Sequence, residues 1–460
     1  MSFTLSDQKD TIIALATPQG VGAIAVIRLS GPDAIKLTNE VFFGKNLENQ
    51  ESHTIHFGTI RDGEKVIDEV LVSIFIAPKS FTKENIVEIS THGSSYIINQ
   101  VLKLFVRKGV RPAKPGEFTQ RAFLNGQFDL AQAEAVADLI HADSETSHQA
   151  ALNQMRGGFS SEIQQLRTKL IHFASMIELE LDFGEEDVEF ASRDELRTLV
   201  ERLLRVVEEL ILSFDLGNVI KNGVPTVIAG KPNAGKSTLL NALLNEEKAI
   251  VSEIAGTTRD FIEDEISIGG VMFRFIDTAG LRETTDTIEA IGVGRTHEKM
   301  KSASLILYLF DMGDTDLVEI NREINILENQ GVPFLKVANK TDKANANISM
   351  ELKAQHPDTI FISAGKKENL EELKVRILEL VNLDKFRTGN TIVTNVRHYD
   401  SLVKTRASLL DILSGLDNQI TNDFVAMDIR RSLYFLGEIT GEITTDDLLE
   451  NIFRNFCIGK

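Results

Sequence analysis

Residues 226–238 read TVIAGKPNAGKST, and this stretch decides the fold. An apolar run ends in G-x-x-x-x-G-K-S, formed by Gly230, Gly235, Lys236 and Ser237, and a helical pattern, LLNALLN, follows at once. Strand, glycine-rich loop and helix in that order make a phosphate-binding loop. Glycines let backbone N–H groups wrap phosphates. Lys236 neutralises β/γ oxygens, Ser237 offers a hydroxyl to Mg²⁺, and the helix N-terminus adds positive potential.

Downstream elements fall in the order this chemistry needs. FRFIDTAG sets Asp277 at a predicted strand end, followed by Gly280; a carboxylate there reaches the metal through water, and a glycine N–H meets a γ-phosphate. AGTTRD lies between, with Thr257 and Thr258 placed to close over phosphate and Mg²⁺. After LILYLFD comes Asn339-Lys340-Thr341-Asp342, whose carboxylate accepts from guanine N1–H and N2–H, a pattern adenine cannot satisfy. Ser363-Ala364 then serves the base O6. Together these predict a GTPase.

Hydrolysis must use an unusual water-positioning group. Leu281 follows the Asp-x-x-Gly element, where a glutamine commonly orients water. Three acids follow, Glu283, Asp286 and Glu289, and solvated loop charges are the plainer reading of each. Asn233 carries a side-chain carbonyl near the β/γ bridge. With oxygens of residues 252–258 it can build a monovalent-cation site, although loop flexibility also accounts for these residue types.

Composition bounds the rest. The chain has 460 residues, which suggests roughly three domains. A 42% hydrophobic and 25% charged make-up is ordinary for a globular protein. One cysteine, Cys457, excludes an intrachain disulfide and fits a reducing cytoplasm. Neither a signal peptide nor a membrane-length apolar run is visible. The net charge of −19 argues against a broad nucleic-acid footprint on this chain. Seven acids in residues 178–189 read as a solvated helix end.

Residues 1–120 show β-branched runs broken by Gly and Pro, an α+β pattern. From Leu130, LAQAEAVADLIHADSETSHQAALNQM is rich in helix formers without internal Gly or Pro. Ser192 and Glu195 suggest a capping box ahead of a helix with Leu196, Leu199, Val200, Leu203, Leu204, Val207, Leu210 and Ile211 on one face. Alternation of β and α begins near Pro225 and runs to about residue 380, after which helical texture returns. The expected fold is multidomain α/β: an N-terminal α+β domain and a discontinuous helical bundle, with a P-loop GTPase domain of the Ras-like kind inserted. In the tail, Thr444 and Asp447 can cap a final helix with Leu448, Leu449, Ile452, Phe453 and Phe456 on one face, and Gly459 suits a left-handed turn.

These motifs, with ATPQGVGAIAVIRLSGP, PGEFTQRAFLNGQFDLAQAEAVADLI and the tail LGEITGEITTDDLLENIFRNFCIGK, resemble the MnmE (TrmE) family of bacterial tRNA modification GTPases over essentially the whole chain. The resemblance implies domains at 1–121 (tetrahydrofolate binding and dimerisation), 122–218 (helical, first part), 219–382 (G domain) and 383–460 (helical, second part, with the tail). It implies K⁺-activated GTP hydrolysis. With an FAD-containing MnmG-type partner, a tetrahydrofolate one-carbon unit (5,10-methylene- or 5-formyl-) would serve to add a (carboxymethyl)aminomethyl group at C5 of the wobble uridine of certain tRNAs. Partners would be a second copy through the N-terminal domain, with G-domain pairing in the GTP/K⁺ state, the MnmG-type protein and tRNA. The alternative is a regulatory or ribosome-assembly GTPase of the Era/Der type.

Residue by residue, the resemblance implies that Asn233, Ser252, Ile254 and Thr257 line K⁺, while Ser237 and Thr258 hold Mg²⁺. The nucleotide set is Asn233, Ala234, Gly235, Lys236, Ser237 and Thr238; Ser252, Glu253, Ile254, Ala255, Gly256, Thr257 and Thr258; Asp277, Thr278, Ala279 and Gly280; Asn339, Lys340, Asp342, Ser363 and Ala364. Glu289 orients water and Lys236 assists catalysis. For folate it implies Arg28, Glu88 and Lys460, with Gln127 at a position often cationic in the family. Arg28 suits a glutamate-tail carboxylate and Glu88 a pterin's N–H donors. Cys457 stands as a nucleophile, a ligand contact or a packed thiol.

Overall fold

Strand β5 of the computed structural model, Lys65–Phe75, alternates with period two: Asp68, Val70, Val72 and Ile74 are buried, while Glu69 and Leu71 are exposed. Such a strand has one face on a core and one open. The structure describes residues 10–182, 193–247, 264–276, 303–314, 316–381, 391–418, 420–454 and 456–459. They group into two units. One falls within 1–141, 151–208 and 400–460, the other within 142–150 and 209–399.

In the first unit a seven-stranded sheet has the order β3-β4-β5-β6-β2-β1-β7. Its other strands are β1 (Ile12–Leu15), β2 (Gly22–Ser30), β3 (Phe42–Phe43), β4 (Thr54–Asp62), β6 (Ile86–Gly93) and β7 (Arg111–Pro112). All pairs are antiparallel except β1 with β7. Ile27, Leu29, Val72, Ile74 and Ile89 bury one face against Val101, Leu104 and Phe105 of the helix Ser95–Arg107. Each such side chain contributes roughly 1.5–3 kcal/mol on burial. Helical hairpins complete the unit: Gly158–Asp182 packs against Asn422–Thr440, tied at its end by Arg430 to Glu178 at 2.6 Å.

The run from Leu130 is not one helix. It forms Leu130–His141 and Glu145–Met155. Ser144 interrupts it: its Oγ accepts from Ser147 N at 3.2 Å, a local bond that competes with the helical ladder. In the second unit, Thr146 donates from both N and Oγ1 to the carbonyl of Gly270, at 3.1 and 3.0 Å. Composition alone carries neither contact. The helix Arg193–Asn222 buries Leu196, Val200, Leu203, Val207 and Leu210 as its spacing predicts; Ser192 lies outside the described residues.

The second unit holds a six-stranded sheet, β13-β12-β11-β8-β10-β9. Its strands are β8 (Val224–Ala229), β9 (Asp264–Ile268), β10 (Val271–Phe275), β11 (Leu305–Asp311), β12 (Phe334–Asn339) and β13 (Ile360–Phe361). All pairs are parallel except the β9–β10 hairpin, which turns at Gly269-Gly270. Leu305 to Phe310 are buried without alternation, as a parallel strand covered on both faces requires. Leu239 and Leu243 pack on one side and Ile320, Ile324 and Leu352 on the other. Ligands of such sheets bind beyond the carboxyl ends of the strands.

The last helix is Asp446–Phe453. Its cap is Thr445, whose Oγ1 accepts from Leu448 N at 3.3 Å; the expected Thr444–Asp447 cap is displaced by one residue. Thr445 is extended (φ −116°, ψ 154°), which aims its hydroxyl into the first turn. Leu449, Phe453 and Phe456 are buried against Leu130 and Ala133, so the apolar face docks as its spacing predicts.

Candidate functional site

In the second unit, chemistry gathers where β8, β11, β12 and β13 end. The loop after β8 passes through Asn233 in the left-handed region (φ +64°) into the helix Lys236–Glu247. Ser237 is half-buried in its first turn and Thr238 is exposed. Lys236 Nζ donates to the carbonyls of Gly230 and Lys231, at 2.6 and 2.9 Å.

Consecutive side chains at the end of β12 grip consecutive carbonyls of this loop. Asn339 Nδ2 donates to Ala234 O at 2.8 Å, and Lys340 Nζ donates to Asn233 O at 2.8 Å. Asn339 Oδ1 accepts from Ala364 N at 3.0 Å, joining a third segment. Gly235 permits the approach: with φ +96°, a Cβ there would stand 2.3 Å from Asn339 Nδ2. Asp342 Oδ1 accepts from Ser363 Oγ at 2.9 Å. That hydrogen bond, with the charges of Lys366 and Lys343, outweighs partial desolvation and holds the Asp342 carboxyl below its ordinary range. It therefore stands as an ionised acceptor at neutral pH. Two contacts were not predicted. Asp311 at the end of β11 pairs with Lys340 at 2.7 Å, and Lys231 is paired with Glu319. A single carboxylate ending an apolar strand is the sequence signal for the first.

Hydrogen bonds thus join Asn233, Ala234, Asn339, Lys340 and Ala364, with Gly235 packed against Asn339, Asp342 bonded to Ser363 beside Ala364, and Lys236 holding the loop's own carbonyls. Ser252, Glu253, Ile254, Ala255, Gly256, Thr257, Thr258, Asp277, Thr278, Ala279, Gly280, Leu281, Glu283, Asp286, Glu289 and Lys460 lie outside the described residues.

The first unit brings Arg28, Glu88 and the chain end together. Arg28 on β2 and Glu88 on β6 are direct cross-strand partners. Arg28 Nε and Nη2 meet Glu88 Oε1 at 2.9 and 2.7 Å, and Nη1 donates to Gly459 O at 3.2 Å. Phe81 and Phe118 flank the guanidinium at 5.9 and 5.7 Å, apolar walls that the sequence reading missed. Gly116 N donates to Cys457 O at 3.3 Å, while the Cys457 side chain is exposed. Gly459 has φ +95°, and a Cβ there would stand 2.4 Å from Leu15 O. Gln127 is exposed, and its backbone N–H bonds Ala122 O.

Next to Phe118 in the chain, Glu117 belongs to an ionic cluster in which it and Arg121 are buried. Arg111 grips Glu117 with Nη1 and Nη2, at 3.0 and 2.5 Å, and Arg121 Nη2 reaches the same carboxylate at 3.0 Å. Asp10 pairs with both arginines. Burial pulls Glu117 upward, but hydrogen bonds from Arg111 and Lys114 N and the arginine charges outweigh it and hold its carboxyl below the ordinary value. The cluster anchors the helix Glu117–Leu124, which carries Phe118.

A parallel sheet whose strand ends join a glycine-rich loop to an Asn-Lys-x-Asp element is the architecture of a P-loop GTPase. Comparison with known proteins narrows the class. A model of the GTP-binding protein TrmE N-terminus matches residues 11–127, and one of the MnmE helical domain matches residues 130–457. The tRNA modification GTPase MnmE of Cytophaga hutchinsonii is 61% identical over 457 residues, covering 99% of each chain. The protein of that name from Flavobacterium psychrophilum is 54% identical, over 98% of this chain and 99% of its own length. That of Bacteroides thetaiotaomicron is 50% identical, over 98% and 100%. Among solved structures, the G domain of the T. maritima FeoB iron transporter covers 35% of this chain and 99% of its own at 23% identity, with a TM-score of 0.26, which adds nothing to the assignment. The chain belongs to the MnmE (TrmE) family of tRNA modification GTPases. Among the described residues, no helix is long and apolar enough to cross a membrane.

Proposed function

We propose that this chain is a K⁺-activated, Mg²⁺-dependent GTPase of tRNA wobble-uridine modification. With an FAD-containing partner of the MnmG type, it uses a tetrahydrofolate one-carbon unit to add a (carboxymethyl)aminomethyl group at C5 of that base. The observation that carries this reading is 61% identity to a tRNA modification GTPase across 99% of both chains. Our reading assigns folate binding and pairing of two copies to residues 1–121, a helical domain to 122–218 and 383–460, and a G domain to 219–382, in a cytoplasmic protein.

Within that reading, Lys236, Ser237 and Thr258 serve phosphate and Mg²⁺, Asp342 reads guanine, and Glu289 orients water. The donor set fits a nucleotide: Gly235 lets the loop pass against Asn339, where a Cβ would clash at 2.3 Å, and Asp342 is an ionised acceptor. Asn233, Ser252, Ile254 and Thr257 form the K⁺ site, and the exposed, left-handed Asn233 leaves its amide oxygen available. Arg28, Glu88 and Lys460 take folate. A half-buried Arg–Glu pair whose guanidinium lies over two aromatic rings suits a flat heterocycle carrying both N–H donors and carboxylates. Bound K⁺ supplies the positive charge that an arginine finger supplies elsewhere.

The deciding experiment is calorimetric titration of the full chain with 5-formyltetrahydrofolate. Saturable heat supports the reading; no heat, with GTP turnover intact, favours a regulatory GTPase of the Era/Der type.

A further inference from the structure

We infer that Asp311 is a positioning residue of the nucleotide site, holding Lys340 on the phosphate-binding loop so that base recognition and the geometry of Asn233 are coupled. Strand β11 is apolar and buried from Leu305 to Phe310, then ends in this one carboxylate. The β11–β12 register sets Asp311 directly opposite Asn339, the residue before Lys340. One carboxylate oxygen, Oδ1, accepts from Gly313 N at 2.8 Å, and the other, Oδ2, accepts from Lys340 Nζ at 2.7 Å. The ammonium is thereby suspended between Asp311 and the carbonyl of Asn233, 2.8 Å away. Asp311 and Lys340 are 20% and 29% exposed, so the pair is shielded enough to exceed an ordinary surface ion pair.

Geometry gives this bridge a direction. Asn233 is left-handed, a region that asparagine enters more readily than other side chains but that neighbouring contacts can fix in place. Lys340 caps the carbonyl of Asn233 while Asn339 caps that of Ala234, so the loop's turn is set by the base-reading segment. Releasing Lys340 from Asp311 frees its long stem and loosens the Asn233 peptide. That peptide also carries the side chain assigned above to K⁺, so the cation half of the inference rests on the proposed function, whereas the nucleotide half does not.

The test uses the full chain with Asp311→Ala, Asp311→Asn, Lys340→Ala and the Asp311→Ala/Lys340→Ala pair. Readouts are GDP affinity and the K⁺ concentration giving half-maximal turnover at saturating GTP. We expect Asp311→Ala to weaken GDP by about tenfold, the size of one charge-assisted hydrogen bond, and to raise the half-maximal K⁺ concentration. Asp311→Asn keeps an acceptor oxygen and should recover most of the affinity. The double variant should be no weaker than Lys340→Ala alone. Unchanged GDP affinity in Asp311→Ala, or losses that add in the double variant, would overturn the inference. Should wild-type turnover prove indifferent to K⁺, the cation assignment fails while the affinity cycle still decides the role of Asp311. If Asp311→Ala does not fold, Asp311→Asn takes its place: a partial loss of GDP affinity that disappears in the Lys340→Ala background supports the inference, and no loss, or a loss that adds to that of Lys340→Ala, sinks it.

Discussion

Arg28 Nη2 stands 2.7 Å from Glu88 Oε1 across directly paired strands, so two residues expected to serve different ends of a ligand are first of all partners of each other. Arg28 also donates to Gly459 O. The planar guanidinium spreads its donors over a fixed fork that spans Glu88 and Gly459 O, a geometry that the compact ammonium of lysine does not reproduce. Arg28→Ala should therefore weaken 5-formyltetrahydrofolate by about 10–100-fold, and Arg28→Lys should recover little of it. Calorimetry showing that lysine performs as well as arginine would make charge, not geometry, the determinant.

The tail provides a second test. Gly459 combines φ +95° with a close approach to Leu15 O, so Gly459→Ala adds backbone strain of about 1–2 kcal/mol and a clash at 2.4 Å. Neighbouring Ile458 is exposed and serves as the control. We expect Gly459→Ala to speed proteolytic cleavage after Phe453 or Phe456 and to weaken folate, with GDP affinity unchanged. Ile458→Ala should do neither. Equal protease resistance in all three proteins would mean that Gly459 does not secure the tail.

The cluster beside Phe118 makes a pH prediction. The folded Glu117 carboxyl lies below its ordinary 4.5, because Arg111, Arg121 and Lys114 N overcome the effect of burial. A depressed carboxylate contributes stability above its unfolded value and loses it as pH falls through the folded one. Glu117→Gln removes one side of a buried ion pair and should cost about 3 kcal/mol at pH 7. In denaturant melts, the gap between wild type and variant should narrow below about pH 4.5. A gap that is constant down to pH 3 would show that folding does not lower the Glu117 carboxyl.

Much of the architecture was legible because it depends on local chemistry. The phosphate loop, the base-reading element and the apolar spacing of Arg193–Asn222 follow from residue type and interval. What stayed hidden depends on register and contact between distant segments. Nothing local pairs Arg28 with Glu88, 60 positions away, or sets Asp311 beside Lys340. The break at Ser144 shows the same limit, since helix propensity favours continuation while a serine side chain bonds back to the chain. The cap at Thr445 instead of Thr444 turned on a backbone angle that either threonine could have adopted.

Hydrolysis itself offers the last test. With Leu281 where a hydrogen-bonding glutamine commonly stands, water must be oriented by another group, and the proposed function assigns this to Glu289. The positive charge at the β/γ bridge is assigned to K⁺. Two consequences are separable. Turnover should be faster in KCl than in NaCl at equal ionic strength, and pairing of chains under GTP should follow the same salt. Glu289→Ala should lower turnover by about 10²-fold while GTP affinity stays near wild type, as for a group acting in the transition state. Equal rates in the two salts would remove the cation from the mechanism. A matching loss of affinity in Glu289→Ala would instead assign that carboxylate to ground-state binding of the nucleotide.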